Sequence, residues 1–178
     1  MPCETLGVSM WIFGYGSLIF RPGFDFLERR PAWIAGYVRR FWQGSPDHRG
    51  TPRAPGRVVT LLADATAVCG GCAYRIDPAT ADATLQLLDE REIAGFERTR
   101  VPLLDGPSGG AFAEGITWIA PNGNPHFLGE LPEAEIADHV RRSHGPSGAN
   151  VDYVKHLAAA LRELGVEDPH VDAIVRAL

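Results

Sequence analysis

The chain has 178 residues, of which 45% are apolar and 22% charged, with a formal net charge of −5. This length suits a single domain, 1–178, and the apolar share is large enough for a buried core, which excludes an intrinsically disordered chain. The acidic balance excludes a broad basic surface for nucleic acid, and no apolar run approaches the ~18 residues of a membrane span.

Short strands separated by turns are predicted for most of the first half of the chain. The 20 glycines and 14 prolines indicate frequent turns. Runs of branched and aromatic residues between them are typical of strands, and the sequence at 107–110 is typical of a hairpin turn. The predicted strands are 8–13, 33–42, 56–62, 73–76, 99–104 and 115–120.

Helices are predicted mainly in the second half. Asp77 followed by Pro78 is typical of an N-cap with proline at the first helical position. Asn150 is a candidate cap for a later helix that Gly165 ends, and Asp168 precedes another proline. The predicted helices are 78–91, 132–143, 150–164 and 169–178. Strands first and helices later indicate an α+β fold with an antiparallel or mixed sheet.

The first long predicted helix carries a carboxylate on its apolar face. Ala81, Leu85 and Leu88 form one stripe at helical spacing, and the next position of that stripe is Glu92. Glu90 falls on the opposite side and should face water. A carboxylate turned toward the core has a raised pKa and can act as a general base. Alternatively, Glu92 lies just past the helix end or pairs with a neighbouring arginine.

A glycine-rich turn, 14–18, follows the first predicted strand. A dinucleotide-binding fingerprint would need glycine in place of Ile19, and a nucleophile elbow would need glycines two residues before and after Ser17. Successive N–H groups at such a turn can form a nest for a carboxylate or an oxyanion. The segment is therefore either an anion site or simply a turn.

The cysteines and histidines do not form a recognisable metal pattern. Cys69 and Cys72 form a C-x-x-C pair between strand-like runs, without a second ligand pair, and Cys3 is distant in sequence. We expect these cysteines to be structural, no metal to be bound, and the protein to belong to the reducing cytoplasm.

Two basic pairs have two alternative interpretations. Arg39–Arg40 and His48–Arg49 are either solvated charges or part of a pocket for an anionic ligand.

Ordered motifs along most of the chain resemble one family, the ChaC-like γ-glutamylcyclotransferases. The resemblance begins near Trp11 and reaches Tyr153. It rests on FGYGSLI at 13–19, PGF at 22–24, RRFWQGS at 39–45, DHRG at 47–50, PGRVVTL at 55–61, RE at 91–92, NP at 124–125, LG at 128–129, GPSG at 145–148, Asn150 and Tyr153.

The resemblance implies a small mixed, mainly antiparallel β-barrel with flanking helices. It also implies an enzyme that cleaves glutathione into 5-oxoproline and cysteinylglycine without a cofactor. The family's catalytic glutamate corresponds to Glu92, and Arg49, Arg57 and Tyr153 are further candidate pocket residues. The segment that the resemblance assigns to the γ-glutamyl group consists of Ile12, Phe13, Gly14, Tyr15, Gly16, Ser17 and Leu18.

In the implied mechanism, Glu92 removes a proton from the α-ammonium of the γ-glutamyl group. The resulting amine attacks the γ-carbonyl within the same molecule and closes a five-membered ring. Two alternatives remain: a binding module that holds a small anionic ligand without turnover, and a cyclotransferase for other γ-glutamyl amides. The sequence makes no prediction about the oligomeric state.

Overall fold

Five strands form a closed barrel in the computed structural model, which describes residues 9–92 and 95–178. The strand order around the barrel is β1-β3-β2-β4-β5, and the parallel pairing of β1 with β5 closes it, while the other neighbours are antiparallel. The predicted mixed, mainly antiparallel barrel is thus confirmed. The strands are β1 Met10–Gly14, β2 Glu28–Ser45, β3 Gly56–Ile76, β4 Glu97–Leu104 and β5 Ala111–Ile119.

Helices flank the barrel. A two-stranded hairpin, β6 His144–Gly145 with β7 Gly148–Ala149, leads into the longest helix. Among the described residues, no helix is long and apolar enough to cross a membrane. The helices are α1 Ser17–Phe20, α2 Ala81–Arg91, α3 Glu133–Arg142, α4 Asn150–Glu163 and α5 Pro169–Ala177. Of these, α3 and α4 are in contact with β3, and α5 is in contact with β2.

The strand prediction was wrong at the C-x-x-C pair. Strands were predicted at 56–62 and 73–76, but β3 runs without interruption through both and through the cysteines between them. Gly70 and Gly71 permit this because the chain passes too close to its neighbours for a side chain. A Cβ at Gly71 would lie 2.3 Å from the carbonyl oxygen of Gly14. The first residue of the predicted strand 8–13, Val8, lies outside the described residues.

Two of the predicted helix caps differ from the structure. Helix α2 begins at Ala81 rather than Pro78, because Asp77 accepts a hydrogen bond from the N–H of Ala79 and stabilises a preceding turn. Asn150 is already the first residue of α4, and its side chain binds the barrel instead of capping. Asp168 is a genuine cap: its side chain accepts a hydrogen bond from the N–H of Val171 at 3.1 Å.

One hydrophobic core fills the barrel and continues beneath the helices. Phe13 and Ile34 are fully buried on β1 and β2, and Ile136, Leu157 and Ile174 are fully buried on α3, α4 and α5. Burying an apolar side chain of this size stabilises a fold by roughly 1.5–3 kcal/mol. This packing holds β1 in place, and therefore also the turn that follows it.

Candidate active site

A cavity opens where β1 ends and the chain turns into α1. The turn residues 15–18 form one wall, and α2, α4, the strands β2, β3 and β5 and the segment 47–49 contribute to the others. We refer to it as the turn cavity. Besides the turn, its lining side chains include Asp47, Arg49, Arg91, Glu92, Phe96, Thr117 and Tyr153.

Close packing explains why the turn contains glycines. A Cβ at Gly16 would lie 2.9 Å from Cγ2 of Val59 and 3.0 Å from the hydroxyl of Tyr153. The carbonyl of Tyr15 is held by the Nε of Arg39 at 2.8 Å. The N–H groups at the start of α1 have no acceptor inside the helix, as at the start of every α-helix. The turn is therefore tightly packed, and its residues 15–18 line the cavity.

Glu92 is the carboxylate of the turn cavity, although it does not belong to the regular helix. It is the C-cap residue of α2, and its N–H still donates to the carbonyl of Leu88 at 2.9 Å. The side chain is 20% exposed. Burial raises the pKa of Glu92; Arg91 lowers it, and the nearby carboxylate of Asp47 raises it further. A desolvated carboxylate of this kind is suited to proton transfer.

The two alternative interpretations of Glu92 both describe part of its environment. The residue does lie just past the last turn of α2, and Nε of Arg91 lies 3.9 Å from its Oε1. Neither this position nor the contact with Arg91 removes the carboxylate from the cavity. Glu90, by contrast, is exposed and accepts a hydrogen bond from Gln86.

Arg91 connects Glu92 to the glycine turn. Its Nη2 donates to Oγ of Ser17 at 3.1 Å, and its Nη1 donates to the carbonyl of Pro22 at 2.8 Å. One guanidinium thus fixes the distance between the end of α2 and the start of α1. The sequence analysis predicted no contact between Arg91 and the glycine turn, although the position of Arg91 next to Glu92 was a usable signal.

Two buried tyrosines stay neutral in the cavity wall. Burial raises the pKa of Tyr15 well above its usual value, and its hydroxyl donates to the carbonyl of Trp118 at 2.7 Å. Burial likewise raises the pKa of Tyr153, whose hydroxyl accepts a hydrogen bond from the N–H of Val59 at 3.4 Å. The first contact attaches the turn to β5, and the second attaches α4 to β3.

The first part of the predicted substrate segment does not reach the cavity. Tyr15, Gly16, Ser17 and Leu18 line it, but Ile12, Phe13 and Gly14 do not. Ile12 and Phe13 are fully buried in the core, and a Cβ at Gly14 would lie 2.8 Å from Cβ of Leu18. The structure places these three residues behind the turn rather than in the cavity lining, and their assignment to substrate contact stays a prediction.

The predicted pocket residue Arg57 also lies elsewhere. Its Nη1 donates to the carbonyls of Phe41 and Gly129 at 2.9 and 3.0 Å, and it does not line the turn cavity. Arg49 and Tyr153 do line it, as predicted.

The residues of the two basic pairs lie in different environments. Arg39 is buried and forms an ion pair with Asp168 at 2.7 Å, so solvation was the wrong interpretation there. Arg49 is also buried and belongs to the cavity, which agrees with the anion-pocket alternative. His48 is exposed at the cavity edge.

No metal site is evident in the described part of the chain, where no group of three or more His, Cys, Asp or Glu side chains has the geometry to hold an ion. Cys69 and Cys72 are free, buried thiols of β3, and burial raises the pKa of both. Cys3 lies outside the described residues.

Comparison with known proteins identifies relatives over nearly the whole chain. The family model described as ChaC-like protein matches residues 10–178. The human protein named glutathione-specific gamma-glutamylcyclotransferase 1 is 37% identical over 174 residues, covering 96% of this chain and 78% of the human one. Gamma-glutamylcyclotransferase 2-3 of Arabidopsis thaliana is 42% identical over 175 residues, covering 92% of this chain and 85% of the plant protein.

Solved structures give the same result. The crystal structure of a yeast γ-glutamylcyclotransferase specific to glutathione superimposes with a TM-score of 0.88 at 29% identity, covering 96% of both chains. A structure titled gamma-glutamyl cyclotransferase shares the fold, with a TM-score of 0.58 at 13% identity, covering 93% of this chain and 86% of the other. The chain therefore belongs to the ChaC-like protein family.

Proposed function

We propose that this chain is a γ-glutamylcyclotransferase that cleaves glutathione into 5-oxoproline and cysteinylglycine, with Glu92 as the general base. The observation that carries the proposal is the partly buried carboxylate of Glu92, whose pKa is raised and which lines the same cavity as the glycine turn 15–18. Relatives named for this activity on glutathione match nearly the whole chain and support the choice of substrate.

The first step is a proton transfer. The α-ammonium of the γ-glutamyl group gives a proton to the carboxylate of Glu92 and becomes a nucleophilic amine. The raised pKa of Glu92 favours this transfer because it brings the carboxyl closer to the pKa of the ammonium. Asp47, which lines the same cavity, adds negative charge that attracts the ammonium group.

The second step forms the ring. The amine nitrogen attacks the γ-carbonyl carbon, and negative charge develops on the carbonyl oxygen. The N–H groups of Ser17 and Leu18 are the donors we assign to this oxygen or to the α-carboxylate. Because the nucleophile and the carbonyl belong to one molecule, holding the chain in a folded conformation supplies a large part of the rate enhancement.

The last step releases the product. The bond between the γ-carbonyl carbon and the cysteine nitrogen breaks as protonated Glu92 gives its proton to that nitrogen. The carbonyl forms again within the five-membered lactam, the regenerated Glu92 carboxylate takes the second proton of the ring nitrogen, and this proton passes to the amine of the departing cysteinylglycine. The products are 5-oxoproline and cysteinylglycine. All of these proton transfers are assigned to one side chain, so the reaction as written requires no cofactor.

The free, buried thiols of Cys69 and Cys72 fit a reducing compartment, and we propose the cytoplasm as the location. The partner implied by the site is the small substrate itself. We propose no role in binding nucleic acid, in keeping with the net charge of −5.

The direct test is to incubate the purified protein with millimolar reduced glutathione, with and without a chelator, and to quantify 5-oxoproline. We expect equal turnover in both samples. If folded protein binds glutathione but yields no 5-oxoproline, the chain is a binding module instead. Parallel reactions with γ-glutamyl dipeptides distinguish a glutathione enzyme from one acting on other γ-glutamyl amides.

A further inference from the structure

A second concave region, which we call the outer groove, adjoins the turn cavity. Its walls include Phe20, Phe26 and His156, and Arg21 and Arg49 line both regions. The outer groove has a volume of about 630 Å³, compared with about 100 Å³ for the turn cavity. The outer groove therefore has room for the part of a tripeptide that extends past the two arginines when its γ-glutamyl end occupies the turn cavity.

The two arginines at this junction lack an ion-pair partner in the described part of the chain. No carboxylate oxygen of 9–92 or 95–178 lies within 4.0 Å of either guanidinium. Arg49 is 5% exposed and lies over the ring of Tyr153, while its Nη1 donates to the carbonyl of Ala149 at 3.0 Å. A buried cation with so little compensation favours an anionic ligand.

The charges around the junction restrict where an anion can bind. Burial and the positive charge of Arg21 lower the pKa of Arg49, whereas Tyr153 and Asp152 raise it. Asp152 and Glu163 also line the outer groove and make the rest of it less favourable for a carboxylate. Arg29 lines the groove as well, but its Nη2 already donates to the carbonyl of Ile19 at 3.3 Å. Arg21 and Arg49 are therefore the cations that lie where the outer groove meets the turn cavity.

We propose that the cysteinylglycine half of glutathione enters the outer groove and that its glycine carboxylate binds Arg21 and Arg49. This inference rests on the proposed function, because it assumes that the γ-glutamyl half occupies the turn cavity. It gives the enzyme a basis for selecting glutathione over γ-glutamyl compounds that lack a carboxylate at this position. The paired arginines thus act on specificity, and Glu92 acts on the reaction.

The test compares glutathione with its glycine monoethyl ester, which keeps the γ-glutamyl amide but has no charge at the glycine end. In the wild-type protein, we expect KM for the ester to be about tenfold higher or more, with kcat nearly unchanged. In Arg21→Met, KM for glutathione should rise to the value for the ester, while KM for the ester stays the same. Arg21 is exposed, so this variant should fold.

Two further variants sharpen the result. Arg49→Lys keeps a charge at the buried position but loses the planar donor pair, so it should show a partial rise in KM for glutathione. Arg53→Met removes an exposed arginine outside both regions and should change neither KM.

The proposal is overturned if the wild-type protein uses acid and ester equally well. It is also overturned if Arg21→Met and Arg49→Lys raise KM equally for both substrates, which would assign the arginines to the α-carboxylate. If the wild-type protein converts neither substrate to 5-oxoproline, the proposed function itself is wrong.

An independent observation concerns Thr117 on β5. The residue is completely buried and lines the turn cavity, and its hydroxyl has no hydrogen-bond partner among the described protein atoms. Leaving a buried hydroxyl unpaired is unfavourable. Thr99, directly opposite on β4, does not line the cavity, and its hydroxyl lies 3.5 Å from the carbonyl of Glu97.

We infer that the hydroxyl of Thr117 binds a polar atom of the γ-glutamyl group. Thr117→Val has the same shape without the hydroxyl, so kcat/KM should fall about tenfold while Tm rises by about 2–4 °C. Thr117→Ser restores the hydroxyl and should restore most of the activity. Thr99→Val is the matched control and should leave kcat/KM unchanged.

The combination of higher Tm and lower activity separates substrate binding from a structural role. If Thr117→Val lowers Tm, the hydroxyl stabilises the free protein, and the inference is wrong. Full activity in Thr117→Val, or none in a folded Thr117→Ser, also contradicts it. The measurement of Tm does not depend on turnover, so it remains informative even if the proposed function fails.

Discussion

Two groups of buried polar side chains in this molecule differ in how completely they are hydrogen-bonded. Between the barrel and α4, Asn150 accepts the N–H of Arg57 at 2.7 Å and donates to its carbonyl at 2.8 Å. In the turn cavity, by contrast, the nearest cation to Glu92 within 9–92 and 95–178 is Arg91 at 3.9 Å, and the hydroxyl of Thr117 has no partner in the same part of the chain.

Helix α5 carries a second example of a fully hydrogen-bonded buried side chain. His170 accepts the N–H of Phe41 at 3.1 Å and its other ring nitrogen contacts Glu133 at 3.1 Å. Paired groups of this kind contribute to a unique, stable fold. Incompletely paired groups reduce stability and keep their bonding capacity for a ligand, which is what an active site requires.

The largest effect should follow from changing the incompletely paired carboxylate. Glu92→Gln keeps the size of the side chain but cannot accept the proton of the ammonium, and losing a general base typically costs ~10²–10⁴-fold in rate. Turnover of glutathione should therefore nearly disappear. Rates of 5-oxoproline formation, with circular dichroism to establish folding, provide the measurement.

Glu90→Gln is the matched control, because Glu90 is exposed on the same helix. Its rate should stay close to that of the wild-type protein. If Glu90→Gln were inactive, or if Glu92→Gln kept a near wild-type rate, the base would have been assigned to the wrong residue.

The next largest effect should follow from changing another buried, fully paired side chain, Arg39. The guanidinium of Arg39 contacts the carbonyls of Tyr15 and Gly70 and the carboxylate of Asp168, and its side chain is 1% exposed. Arg39→Met leaves Asp168 without its partner, and breaking a buried pair in this way costs about 3–5 kcal/mol. Urea unfolding should show this loss in the free energy of unfolding.

For this comparison, Arg53→Met is the control, since exposed substitutions usually change stability by no more than about 0.5 kcal/mol. A loss as small as that in Arg39→Met would mean that the pairing around Arg39 contributes little.

A smaller change in the free energy of unfolding, this time an increase, is expected for Glu92→Gln. The folded protein raises the pKa of Glu92, so the folded state binds the proton more tightly than the unfolded state, whose value is near 4.5. Stability is therefore lost as the pH rises from about 4.5 through the raised pKa. At neutral pH the variant should be more stable than the wild-type protein.

The same argument predicts that this gain shrinks as the pH falls, because the wild-type carboxyl then becomes protonated. Urea unfolding of both proteins at several pH values measures the difference. A constant difference across the range, or a variant that is less stable at neutral pH, would contradict a desolvated Glu92.

The smallest effect is expected for the cysteine pair. Cys69 and Cys72 are buried in β3 and do not line the turn cavity. Replacing both with Ala should leave turnover within a few-fold, with some loss of stability from packing. A folded double variant without activity would show that the thiols have a role in the reaction.

The parts of the site that are local in sequence were predictable. The strand leading into the glycine turn, the apolar stripe of α2 and the cap at Asp168 follow from residue spacing and capping rules. The inward position of Glu92 was also predicted correctly, although the helix ends one residue earlier than the stripe assumed.

The parts that depend on barrel closure were not predictable from local pattern. Thr117 reaches the cavity because β5 pairs with β1 in parallel, and no local signal specifies that pairing. Arg49 and Arg57 belong to adjacent motifs, but the sequence does not say that Arg49 lines the turn cavity while Arg57 binds backbone carbonyls elsewhere.

The pairing of β1 with β5 has a consequence for how the protein folds. The hairpin of β2 and β3 joins Ser45 to Gly56 through the connection 46–55, whereas β1 meets β5 at the far more distant pair Trp11 and Gly115. Contacts between distant segments carry a larger loop-closure entropy, so local pairing is favoured early and barrel closure late. Since the turn lies at the end of β1, refolding protein should regain its β-sheet circular dichroism before it regains enzymatic activity.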